Sequence, residues 1–163
     1  MQSSPEPVFR TICDYLRRSV VATSIVLWLG GFTFYSIVVV HTAHRILRSH
    51  VRVGMVTQVV THWLNAFGVA MILALLWNLF AEARSWSRWM RRIALATWLI
   101  MTAAQLALIC LHPMMDAQID SDAHELRDRP RFHEMHQLYL TLSTAQWAAC
   151  IVHGALLVWP RKC

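Results

Sequence analysis

The chain has 163 residues, of which 56% are hydrophobic and only 15% charged, with a net charge of +6. Soluble domains carry about 25% charged residues, so an ordinary soluble globular domain is excluded. No zinc finger, RNA-binding signature or aromatic-basic repeat accompanies the excess of Lys and Arg. That excess is therefore read as membrane topology and headgroup contact, and no nucleic-acid partner is expected.

Residues 8–18 carry Phe9, Ile12 and Leu16 at helical spacing, with Arg10, Asp14, Arg17 and Arg18 largely elsewhere. This suits a short helix in the headgroup region, although a plain lead-in fits equally well. Residues 19–40 contain no Asp, Glu, Lys or Arg and form the first expected span, longer than the apolar core of a signal peptide. Gly30 and Gly31, with Gly68 further on, read as places of close helix approach. A link with Arg45, Arg48 and Arg52 leads to a second span over about 55–80. The next link, 81–92, alternates Trp86 and Trp89 with arginines, as an interfacial anchor does.

The third span covers about 93–112 and is expected to stop at Pro113. The link 114–134 is the longest and the only acidic one. Asp116, Asp120 and His124 have helical spacing there, which reads as a solvated acidic helix. A fourth span over about 135–159 runs into Pro160-Arg161-Lys162. Each apolar run reaches the ~20 residues needed to cross a ~30 Å hydrocarbon layer. The expected fold is all-α: one integral membrane domain over 1–163, an antiparallel four-helix transmembrane bundle. Cys13, Cys110, Cys150 and Cys163 are far apart, so neither a disulfide framework nor a Cys-based zinc site is expected.

Nine Lys and Arg fall on the side of the two termini and the second link, against six on the other. The positive-inside rule then places both termini in the cytoplasm. With that topology His41, His44, His62, His112, His133 and His136 fall near the outer end, whereas His124 and His153 stand apart. His41/His44 and His133/His136 are HxxH pairs, which on a helix bring two rings to one face. A divalent transition metal such as Zn²⁺ or Cu²⁺ takes imidazole well, and Met114, Met115 and Asp116 adjoin. The alternatives are interfacial histidines bonded to headgroups and water, or haem b held by His62 against His112 or His136.

Polar residues give a second signal. Gln58, Thr61, His62 and Asn65 share a face of the second span, and His136, Tyr139, Ser143, Gln146, Cys150 and His153 share one of the fourth. Gln105 and His112 lie seven apart on the third span, and Thr33 and Ser36 share a face of the first. Polar groups are costly against lipid, so these stripes should point into the bundle. They serve either as packing hydrogen bonds, about 0.6 kcal/mol each, or as a polar cavity built on Gln58, Asn65, Gln105, Tyr139 and Ser143.

Three segments carry a resemblance. Trp28-Leu-Gly-Gly-Phe-Thr-Phe-Tyr35, Leu111-His-Pro113 and Phe132-His-Glu-Met-His136 resemble, in order, motifs of the four-helix membrane family that includes transmembrane protein 205. The resemblance implies a four-helix integral membrane protein with no settled activity. It singles out Gly31, Pro113 and His136. The sequence departs from the family where its first link often has Pro, since His41 and His44 stand there.

Three function classes follow. One is a non-enzymatic membrane protein binding a small ligand or metal ion at a His-lined outer mouth. The second is a haem- or metal-dependent redox component beside a quinone pool. The third is a structural subunit of a membrane complex or a homo-oligomer. No nucleophile–base constellation or phosphate loop is legible, which disfavours a hydrolase or kinase.

Overall fold

The computed structural model describes residues 6–82, 86–120 and 125–159. The chain forms α1 (Glu6–Phe34), a π-helical turn (Tyr35–Val39), α2 (Val40–Leu47), α3 (His50–Glu82), α4 (Arg88–Asp116), strands β1 (Ile119–Asp120) and β2 (Glu125–Leu126), and α5 (Arg129–Val158). Four helical stretches are long and apolar enough to cross a membrane: Thr11–Leu47, Val51–Glu82, Arg88–Asp116 and Arg129–Val158.

The core follows from the faces these helices bury. Val21, Ile25 and Trp28 from α1, Met71, Ile72 and Leu75 from α3, Met101 from α4, and Ala149 and Cys150 from α5 form one cluster. Outward-facing apolar residues such as Leu27, Trp63, Leu73, Trp77, Phe80 and Leu99 are exposed. On a soluble protein such a surface would aggregate; against acyl chains it is already in its preferred solvent. Tryptophan N–H groups tie the helices together. Trp98 Nε1 donates to the Ile72 carbonyl at 3.1 Å, and Trp147 Nε1 donates to Thr33 Oγ1 at 3.1 Å.

Several local expectations are corrected. Residues 8–18 are helical but run without a break into the first span. Ile12, Asp14, Leu16 and Arg18 are all exposed, whereas Arg17 turns inward and is only 4% exposed. Arg17 Nη2 donates to Glu82 Oε1 at 3.0 Å, its Nη1 donates to Asn78 Oδ1 at 2.5 Å, and Arg18 reaches the same Glu82 oxygen at 3.3 Å. An ionised group beside a bilayer is cheapest when paired inside the bundle, which leaves the apolar side for lipid.

Trp86 is buried against Ala94 and Leu156 rather than standing at the interface, while Trp89 is exposed. The third helix does not stop at Pro113 but continues to Asp116. Proline removes the backbone donor to the Ile109 carbonyl, yet only the last turn follows it, and Ala117 N–H closes that turn onto the Pro113 carbonyl at 3.0 Å. The acidic helix is replaced by a two-stranded antiparallel ladder pairing Ile119 with Leu126 and Asp120 with Glu125; His124 lies outside the described residues. The fourth helix starts at Arg129, ahead of the expected 135. Asp128 caps it by accepting from Arg131 N at 3.1 Å, with Pro130 just inside.

The first link shortens to Arg48 and Ser49, with Arg48 at φ 46°, the left-handed residue that turns the chain. Of the three glycines, Gly68 alone is forced. A Cβ there would collide with the Gln105 amide and stand 3.0 Å from Trp28 Nε1, whereas at Gly31 it would make an ordinary 3.6 Å contact with Leu64 and at Gly30 it would meet nothing.

Candidate functional site: a polar-floored cavity in the helix bundle

Helix α5 packs chiefly on α4, and α1 chiefly on α3, while α1 and α5 touch more lightly than either of those pairs. Between them, at the end of the bundle bearing the Arg48 turn and the β-hairpin, lies a cavity of about 410 Å³. Phe32, Tyr35 and Ser36 line it from α1 and the π-helical turn, followed by Val40 and His44 of α2. From α3 come Val53, Gly54, Thr57, Gln58 and Thr61; α4 gives His112, Met115 and Asp116. Ile119 of β1 closes the top, and α5 contributes Phe132, His136, Tyr139, Leu140 and Ser143.

The π-helical turn is what gives the α1 side its reach. An i→i+5 turn inserts one residue into the helical repeat and rotates everything after it, so residues on both sides of the insertion contribute to the same wall. The run Ile37-Val38-Val39-Val40 is β-branched, which lowers helix propensity at this place.

The polar groups converge at two levels. At the rim, His112 Nδ1 stands 3.0 Å from Asp116 Oδ2, and His112 Nε2 stands 2.8 Å from Thr61 Oγ1 and 3.2 Å from the Gln58 carbonyl. Thr61 Oγ1 also donates to the Thr57 carbonyl at 2.8 Å. This run of bonds braces α3 against α4. Tyr35 and Tyr139 border the same space as Thr61. Beneath them, three amides join three helices: Gln146 Nε2 donates to Gln105 Oε1 at 2.8 Å, and Gln105 Nε2 donates to Asn65 Oδ1 at 3.0 Å.

The structure sorts the sequence-predicted residues. Gln58, His44, His112, His136, Tyr139 and Ser143 border the cavity, and Asn65 and Gln105 lie at its inner end. All four histidines of the HxxH pairs are exposed, but only His44 and His136 border the cavity, and His41 and His133 do not. Positions i and i+3 sit about 60° apart on a helix of 3.6 residues per turn, enough for one ring to look in and the other out. His62 is exposed and also outside the lining; its ring centroid lies 6.4 Å from that of His112. His136 stacks on Phe132 with centroids 6.0 Å apart. Among the described residues, no three of His, Cys, Asp and Glu come together as a metal-ion site.

Sequence reasoning passed over Tyr35, Thr57 and Phe32. A tyrosine within an apolar span was the available signal, since its buried hydroxyl requires a partner. No family model, curated protein or solved structure matches this chain.

Proposed function

We propose that this chain is a multi-pass membrane protein, an antiparallel bundle with both termini cytoplasmic, whose outward-facing cavity binds a small, mostly apolar ligand. The supporting observation is the cavity itself. Its volume of about 410 Å³ falls within the ~300–1,000 Å³ usual for ligand sites, and it joins apolar walls to a few convergent polar groups. The excess of Lys and Arg on the termini and second link supports the orientation. The three motif segments at Trp28–Tyr35, Leu111–Pro113 and Phe132–His136 support a distant kinship with the family of transmembrane protein 205.

The ligand reading is preferred to a metal- or haem-dependent redox role for a geometric reason. Such a role needs several imidazoles gathered with free nitrogens, yet both nitrogens of His112 are engaged by Asp116 and Thr61, His41 and His133 do not line the cavity, and among the described residues no three potential ligands come together. Photolabelling the protein in phosphatidylcholine nanodiscs with a diazirine-bearing alkyl probe tests the reading. Saturable labelling of residues 32–44, 53–61 and 132–143, lost in Ser143→Trp, is expected. Labelling spread over the lipid-facing residues without saturation would refute it.

A further inference from the structure

The inner end of the cavity narrows to a chamber of about 20 Å³, bordered by Asn65, Gln105, Tyr139, Ser143 and Gln146. That is room for a single water-sized group. Phe32, Tyr35, Thr61, Tyr139 and Ser143 border both spaces, so the hollow has a wide apolar body and an adjoining narrow tip, where Trp28, Leu64 and Leu108 stand beside the amides.

The amide bonds at this tip run in one sense. Gln146 gives a proton to Gln105, and Gln105 gives one to Asn65. Each bond uses the carbonyl of the accepting amide, and so the carbonyl of the first amide in the series is left over. Gln146 is 0% exposed, and its Oε1 has no hydrogen-bond partner. A buried acceptor without a donor is a strong vacancy for a hydroxyl or amine hydrogen.

The surrounding charges narrow the choice. Among the described residues, Asp116 is the one carboxylate on the cavity wall and is already engaged by His112, while His44 and His136 also line the wide body and none of the four borders the tip. A cationic head at the tip would have no counter-charge, and a carboxylate would set acceptor against acceptor. A neutral hydroxyl meets neither objection. The hollow borders the lightly packed α1–α5 seam, where Trp147 Nε1 bonding to Thr33 Oγ1 forms a cross-tie.

We infer that the ligand is a neutral alcohol with an aliphatic or isoprenoid body, seated hydroxyl-first, with Gln146 Oε1 as acceptor of its proton. This rests on the ligand-cavity reading above. The test uses the full chain in phosphatidylcholine nanodiscs and a diazirine-bearing hexadecanol as the labelling probe. Competitors are hexadecanol, hexadecyl methyl ether, palmitate and hexanol. The ether keeps the chain and the oxygen but has no proton to donate.

Hexadecanol should displace the probe about tenfold better than the ether, the value of one neutral hydrogen bond. In Gln146→Leu that preference should fall to within about twofold, while the probe still labels the cavity. Should Gln146→Leu fail to fold, Gln146→Asn, which retains the amide and withdraws it by one methylene, is expected to reduce the preference in the same direction. Equal competition by alcohol and ether in the unaltered protein would overturn the inference and leave the cavity reading standing. So would an undiminished preference in both variants, or displacement by palmitate as effective as that by hexadecanol. Absence of saturable labelling by any probe would instead overturn the cavity reading. Competition by hexadecanol but not hexanol identifies a membrane-borne alcohol, and the reverse a water-borne one; both support the hydroxyl assignment.

Discussion

Consider Gly68→Ala. The added methyl would occupy the position of the Gln105 amide and press on Trp28 Nε1 at 3.0 Å. A long amide usually swings away from such a contact at little cost. Gln105 is not free to do so, because it is 3% exposed and held at both ends by Asn65 and Gln146. Displacing it breaks two hydrogen bonds, at about 0.6 kcal/mol each within a membrane bundle, and adds an overpacking cost of about 1–3 kcal/mol. Set against a gain of about 1 kcal/mol in helix propensity, Gly68→Ala should therefore destabilise by about 1–3 kcal/mol. Gly30→Ala meets no atom within 4 Å, and only its helix propensity changes, so it should be neutral or stabilising by up to about 1 kcal/mol. Equilibrium unfolding in mixed micelles, read by far-UV circular dichroism, compares the pair. The double variant Gly68→Ala/Gln105→Ala should recover part of the loss, because the methyl then has space. A Gly68→Ala protein as stable as the parent, or no recovery in the double variant, would refute the packing argument.

Other expectations concern stability at the two ends. Glu82→Gln removes the buried anionic partner of Arg17 and leaves it only the exposed Asp14 carboxylate; it should cost about 2–3 kcal/mol, whereas Arg17→Leu/Glu82→Leu should regain most of it, measured by the same unfolding. Arg48 sits at φ 46°, so Arg48→Gly should be neutral or slightly stabilising, while β-branched Arg48→Val should cost roughly 1–2 kcal/mol. His112→Ala removes the bonds to Asp116 and Thr61 and should cost about 1–3 kcal/mol. His41→Ala and His133→Ala, both exposed, should stay within about 0.5 kcal/mol of the parent.

Much of the bundle is legible from charge-free runs alone, because water-free surroundings leave the backbone few ways to satisfy its donors and acceptors. The polar stripes carried real positional information: Gln58, Asn65, Gln105, Tyr139 and Ser143 all border the hollow. Where the reading failed, a local pattern was ambiguous between environments. The amphipathic run around Ile12, Leu16 and Arg17 has the same periodicity whether its polar side meets headgroups or Glu82. Glu82 is far away in sequence, and nothing local announces the pairing. The histidines clustered in depth but not in azimuth, and depth is what hydropathy reports. The split of His41 from His44 depends on how α2 is rotated after the π-helical turn, a feature with only a weak signal in its β-branched run. Pro113 and Asp128 shifted helix boundaries because last-turn prolines are tolerated and capping extends a helix ahead of its apolar stretch.

The most direct test of the account is side-specific thiol accessibility. In a protein with Cys13, Cys110, Cys150 and Cys163 replaced by alanine, Ser36→Cys and Thr57→Cys each place one thiol on the cavity wall. A membrane-impermeant methanethiosulfonate added to intact cells should modify both, and hexadecanol should slow the reaction. Val26→Cys, on the exposed apolar face, should stay unmodified. Modification of the cavity thiols only after the cells are opened would contradict the outward orientation, and no modification on either side would contradict an accessible cavity.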